Sequence, residues 1–156
     1  MRENGDKDWE RCTIKNDGFL PEGASPASLP PLILAYIGDA VYELHVRKHL
    51  VQKGLIPLPQ LHRKAVEYVR ATTQAMLVQQ LASSLTDEEK DLIRRGRNAK
   101  SGHGPKSANV MEYRYSTGLE ALIGYLYLQG NQPRLEAVLG LMMQVIEKKL
   151  QERSQT

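Results

Sequence analysis

A single cysteine, Cys12, stands in the whole chain. No internal disulfide can form, and no metal centre can be built on thiolates. Long apolar runs are also missing. The most apolar stretches reach about a dozen residues, against the roughly 20 needed to span a bilayer. The opening segment, Met1–Glu10, is charged and lacks the apolar centre of a secretion signal. These absences argue against a disulfide-stapled scaffold, a thiolate zinc module and a helical membrane anchor. They set the expectation of a cytoplasmic protein with no membrane partner. Strand signatures and internal repeats are absent too, so the expected class is all-α.

The chain has 156 residues, 41% of them hydrophobic and 25% charged, which is enough apolar material for one core and too little charge for a disordered polymer. The formal net charge is +3. A modest basic excess fits a polyanionic partner without requiring one.

Residues 1–27 carry scattered glycine and proline without periodicity and read as a flexible tail, although Trp9 and Phe19 are costly to leave exposed. Residues 28–153 read as one domain. Its first helix is expected from Leu29-Pro30-Pro31 to about Lys53, ending at Gly54, because proline suits a first turn and glycine a helix end. A second long helical region is expected over roughly 60–83. Thr86 with Glu89 forms a capping-box pattern for a short helix to about Arg95. The glycine-rich segment 96–106 reads as a loop. A helical turn near 109–113 is expected, then an apolar helix from Ser116 to Gln129 and a last helix from Pro133 to about Arg153.

Two acids stand out. Asp39 is the only charged residue in PPLILAYIGDAVY, and Glu120 the only one in STGLEALIGYLYLQ. A carboxylate on such an apolar helix sits near a core or an interface, where it protonates or finds compensation. A hard divalent cation is one compensator, since Mg²⁺ takes oxygen ligands and keeps several waters. Structural alternatives stand beside this reading: Glu120 could close a capping box with Thr117, and Asp39 could pair with a distant lysine or arginine. Gly38 and Gly124, beside the two acids, suit close approach by a helix or a ligand.

The second cluster is basic. Arg94, Arg95, Arg97, Lys100 and Lys106 occur without an intervening acid, and Asn98 could add a ribose or base-edge contact. Such a segment suits phosphate contacts that read no sequence, and equally a solvated charged loop. Arg63, Lys64 and Arg70 could extend the footprint. His45, His49, His62 and His103 read as packing or surface histidines rather than a metal site.

LAYIGDAVYELHV resembles the signature helix of ribonuclease III, and YSTGLEALIGYLYLQG resembles that family's second acidic helix. With RGRNAKSGHGPK ahead of the second motif, the chain resembles the short branch called Mini-ribonuclease III, over about residues 30–150. The resemblance implies the all-helical ribonuclease III catalytic domain without a separate double-stranded-RNA-binding domain. It implies a homodimer cutting both strands of an RNA duplex with Mg²⁺, with Mn²⁺ able to substitute. It also implies maturation of precursor 23S ribosomal RNA at a paired stem, with a ribosomal protein on the substrate as a candidate partner.

Asp39 matches the signature aspartate and Glu120 the key metal-binding glutamate, giving both a catalytic and a metal-binding role. Acids expected before them are replaced by Ala35, Leu32 and Thr117, a lean pattern shared by the short branch. Glu43 and Thr117 are candidates for the water shell around the ion. The rival readings are a non-catalytic RNA-binding or ribosome-assembly protein on the same fold, and a helical nucleotide phosphohydrolase. The latter needs clustered carboxylates at helical spacing, and none surround Asp39 or Glu120.

Overall fold

A computed structural model describes residues 20, 22–54, 56–99 and 109–156. Most of the expected tail, including Trp9 and Phe19, lies outside them, as do Lys100, His103 and Lys106. Every regular element among the described residues is helical. After a short 3₁₀ turn come α1 (Pro31–Lys53), α2 (Leu58–Val69), α3 (Ala71–Leu81), a second 3₁₀ turn, α4 (Asp87–Asn98), α5 (Val110–Leu128) and α6 (Gln132–Ser154). No helix among the described residues is long and apolar enough to cross a membrane.

The centre of the fold is α5. From Ser116 to Leu128 nearly every residue is buried, and α1, α3, α4 and α6 all pack on it. A helix apolar on all sides must be enclosed by others, which is why this segment organises the bundle. Leu119, Leu122 and Ile123 join Leu34, Tyr42 and Val46 of α1, Leu77 of α3, and Val138 and Met142 of α6 in one core.

Two glycine pairs set how close the helices come. A methyl group on Gly38 would fall 1.7 Å from the Glu120 carbonyl oxygen, and one on Gly124 would fall 1.9 Å from that of Leu34. The backbones of α1 and α5 therefore touch at their crossing. Likewise, a methyl on Gly96 would fall 2.7 Å from the Gly118 Cα, and one on Gly118 would fall 2.4 Å from the Ile93 carbonyl oxygen.

The capping box occurs as expected: Glu89 N–H donates to Thr86 Oγ1 (3.2 Å) and Thr86 N–H to Glu89 Oε1 (2.9 Å). Glu89 also accepts from Arg134 of α6, at 2.6 and 2.8 Å, tying that helix to the start of α4.

Three expectations are corrected. The region over 60–83 is two helices, because Arg70 adopts an extended conformation (φ −62°, ψ 151°). The carbonyls at the end of α2 accept from side chains instead: Glu67 O from Thr73 Oγ1 (2.6 Å), Tyr68 O from Tyr42 Oη (2.6 Å) and Val69 O from Gln74 Nε2 (2.8 Å). Next, α4 does not stop at Arg95 but runs through Asn98, with Gly96 inside it as the contact point on α5 rather than a loop residue. Finally, the turn near 109–113 and the helix from Ser116 are one helix, α5.

Candidate active site

The α1–α5 crossing brings the two acidic motifs together. Gly38 lies against the backbone of Glu120, so Asp39, the next residue, sits beside that glutamate. Asp39 is exposed in the single chain, while Glu120 is mostly enclosed. Burial first, and the Asp39 carboxylate second, push the Glu120 carboxyl up to about 7. Burial, and then Glu43, raise that of Asp39 as well. Among the described residues neither acid is paired with a lysine, arginine or histidine. Like charges brought together without a counter-ion raise one another's pKa.

This geometry removes both structural alternatives. Thr117 lies well inside α5, where its hydroxyl donates to Tyr113 O (3.0 Å), so it does not cap a helix with Glu120. Asp39 has no cationic partner among the described residues. What the pair offers is two hard oxygen donors with uncompensated charge, a set that suits a divalent cation. It is a lean set: no group of three or more His, Cys, Asp or Glu placed to hold a metal occurs among the described residues. Glu43, one turn past Asp39, pairs outward with Arg47 (2.8 Å).

A third residue joins from α3. Gln74 Nε2 donates to Glu120 Oε1 (3.1 Å) as well as to Val69 O. Sequence reasoning missed it. A glutamine in ATTQAMLVQQL looks no different from Gln79 and Gln80, and only the tertiary fold singles it out.

The basic cluster divides. Arg94, Arg95, Arg97 and Asn98 form the last turns of α4. Contact between Gly96 and Gly118 carries this turn onto α5 two residues before Glu120. Arg97 lies over the Tyr115 ring, 5.6 Å from its centroid, and donates to Asn98 Oδ1 (3.2 Å). Arg94 is engaged by Asp91. Arg63 and Lys64 are exposed on α2. Arg70 is elsewhere: with Lys149 and Arg153 it lines a pocket of about 100 Å³ between the α2–α3 bend and α6, which contains neither acid. Among the described residues no group of three or more histidines and acids is placed to hold a metal, and His49 Nε2 contacts Glu147 Oε1 (2.5 Å) beside Lys53.

Comparison with known proteins fits this arrangement. The family model described as Ribonuclease III domain matches residues 32–131, which span α1 to α5 and both acids. A protein named Mini-ribonuclease 3 from Symbiobacterium thermophilum is 53% identical over 126 residues, covering 80% of this chain and 96% of that protein. This chain belongs to the Mini-ribonuclease III branch of the ribonuclease III family. Another Mini-ribonuclease 3, from Staphylococcus aureus, is 42% identical over 78% of this chain and 92% of its own length. A crystal structure of a Fusobacterium nucleatum protein superposes with a TM-score of 0.69 at 30% identity, covering 78% of this chain and 98% of that one. As a member of the ribonuclease III family the chain is an endoribonuclease, and membership brings a divalent-metal cofactor with it.

Proposed function

We propose that this ribonuclease III-type enzyme cleaves double-stranded RNA with Mg²⁺ held by Asp39 and Glu120. The observation that carries this reading is the juxtaposed acid pair at the α1–α5 crossing with no basic partner among the described residues. Bound there, Mg²⁺ would activate an attacking water and offset charge on the scissile phosphate, a role Mn²⁺ can also fill. The protein's own part is positional. The glycine contacts fix the two carboxylates relative to each other, and burial keeps Glu120 out of bulk water. The basic end of α4, one short step along α5, binds the RNA backbone beside the cut. A-form duplexes are recognised by such phosphate and 2′-hydroxyl contacts rather than by sequence.

The enzyme acts as a homodimer in this reading. One side of α1 leaves large apolar side chains in water, with Tyr36 77%, Ile33 49% and Leu44 45% exposed. An apolar stripe of this kind favours burial against a second copy. Two sites in one dimer would cut both strands of a stem. Resemblance to the Mini branch supports precursor 23S ribosomal RNA as that stem.

Asp39→Asn tests the assignment. The variant is expected to lose cleavage of duplex RNA in Mg²⁺ by at least about a hundredfold while binding the duplex with parental affinity. Parental cleavage by this variant would refute the metal assignment. A parent protein that binds duplex but never cuts it in Mg²⁺ would favour the non-catalytic RNA-binding reading.

A further inference from the structure

Gln74 is the polar residue of this fold that packing alone explains least. It is only 2% exposed, on α3 where that helix packs against α5. Its Oε1 is buried without a hydrogen-bond partner among the described residues. Leaving such an atom unpaired carries a cost that a methionine of the same length would avoid. Its Nε2, in contrast, is fully used, with one proton on Val69 O (2.8 Å) and the other on Glu120 Oε1 (3.1 Å). The orientation of the amide follows from Val69 O, a carbonyl that can only accept, so an oxygen in place of Nε2 would face another acceptor there.

We propose that Gln74 is a positioning residue for the metal site, holding the Glu120 carboxylate in the orientation the divalent ion requires. The inference rests on the acid-pair reading above and adds a residue to it. Gln74 bonds Oε1 and leaves Oε2, which has no hydrogen-bond partner among the described residues, for the ion. The anchor is the α2–α3 bend. Gln74 ties this bend to α5 through Glu120, and Tyr42, three residues beyond Asp39 on α1, ties it to α1 by donating to Tyr68 O (2.6 Å). Both acid-bearing helices are thus referenced to one point of backbone. Partners that orient a metal ligand this way typically contribute tenfold or more to metal affinity.

The test uses Gln74→Met, which keeps the volume and removes the donor. Mn²⁺ binding to the RNA-free full-length protein is titrated by electron paramagnetic resonance. Cleavage is followed against Mg²⁺ concentration, and duplex binding is measured in EDTA. The expected result is Mn²⁺ affinity weakened about tenfold. The Mg²⁺ concentration for half-maximal cleavage should rise by a similar factor, with duplex affinity unchanged and most of the cleavage rate recovered at saturating Mg²⁺. Unchanged Mn²⁺ affinity would overturn the proposal. A loss of duplex binding in parallel with metal binding would also overturn it, since that marks a purely structural role. Gln74→Leu repeats the test if the methionine variant does not fold, and failure of both to fold counts against positioning. Asp39→Asn in the same titration separates the two claims. If it binds Mn²⁺ like the parent, the metal site itself is refuted. If it does not bind while Gln74→Met does, only the role of Gln74 falls.

Discussion

Replacing Glu120 with glutamine should make the metal-free protein more stable while ending its chemistry. The reasoning starts from the carboxyl held at about 7 by burial and by Asp39. Raised from its ordinary 4.5, it corresponds to about 3 kcal/mol between the two protonation states. The sign follows from proton uptake. Between pH 4.5 and 7 the folded chain holds a proton at Glu120 that the unfolded chain has released, so stability falls as pH rises through that window. Above pH 7 the full cost of the buried charge is present; below about 4.5 it is gone.

Glutamine has the same shape, keeps an oxygen for the Gln74 amide, and never ionises. In EDTA at pH 8, Glu120→Gln should therefore melt higher than the parent. The expected gain is roughly 5 °C, at roughly 2–4 °C per kcal/mol for a chain of this size and allowing for relaxation around the charge. By pH 4.5 the two should melt together. Adding Mg²⁺ at pH 8 should stabilise the parent and leave the variant unmoved. Differential scanning calorimetry across pH, with and without metal, reads all of this. A variant less stable than the parent at pH 8, or a gain that persists at pH 4.5, would refute the reasoning.

Two further outcomes follow from the geometry. Gly124→Ala should destabilise the fold by about 3 kcal/mol in urea unfolding, because its methyl would meet the Leu34 carbonyl oxygen at 1.9 Å and no side chain can yield there; a neutral result would contradict the close crossing of α1 and α5. Arg97→Ala should weaken duplex binding and lower the slope of log affinity against log salt by about one, and an unchanged slope would remove the end of α4 from the RNA footprint.

Much of this architecture is legible in the sequence where the signal is local. Proline before Leu32 and glycine after Lys53 bracket α1, the Thr86–Glu89 box opens α4, and the apolar run after Tyr115 marks the central helix. The acids were equally visible, because a lone charge in an apolar helix needs an explanation wherever it sits. What was not legible depends on partners distant in sequence. The break at Arg70 is stabilised in part by Tyr42, which lies 26 residues before the carbonyl it bonds. Gly96 looks like loop chemistry until Gly118 is seen beneath it. Gln74 has no signature of its own, since its role arises only when α3 packs on α5. In each case the same residue type serves two purposes, and only tertiary contact distinguishes them.

The central claim is that Asp39 and Glu120 share one divalent cation. Soaking crystals of the protein with Mn²⁺ and measuring anomalous scattering tests it most directly. The account predicts a single strong peak between α1 and α5, about 2.1 Å from an oxygen of each carboxylate. A peak held by only one of the two acids, or ordered Mn²⁺ elsewhere with the pair left empty, would contradict it.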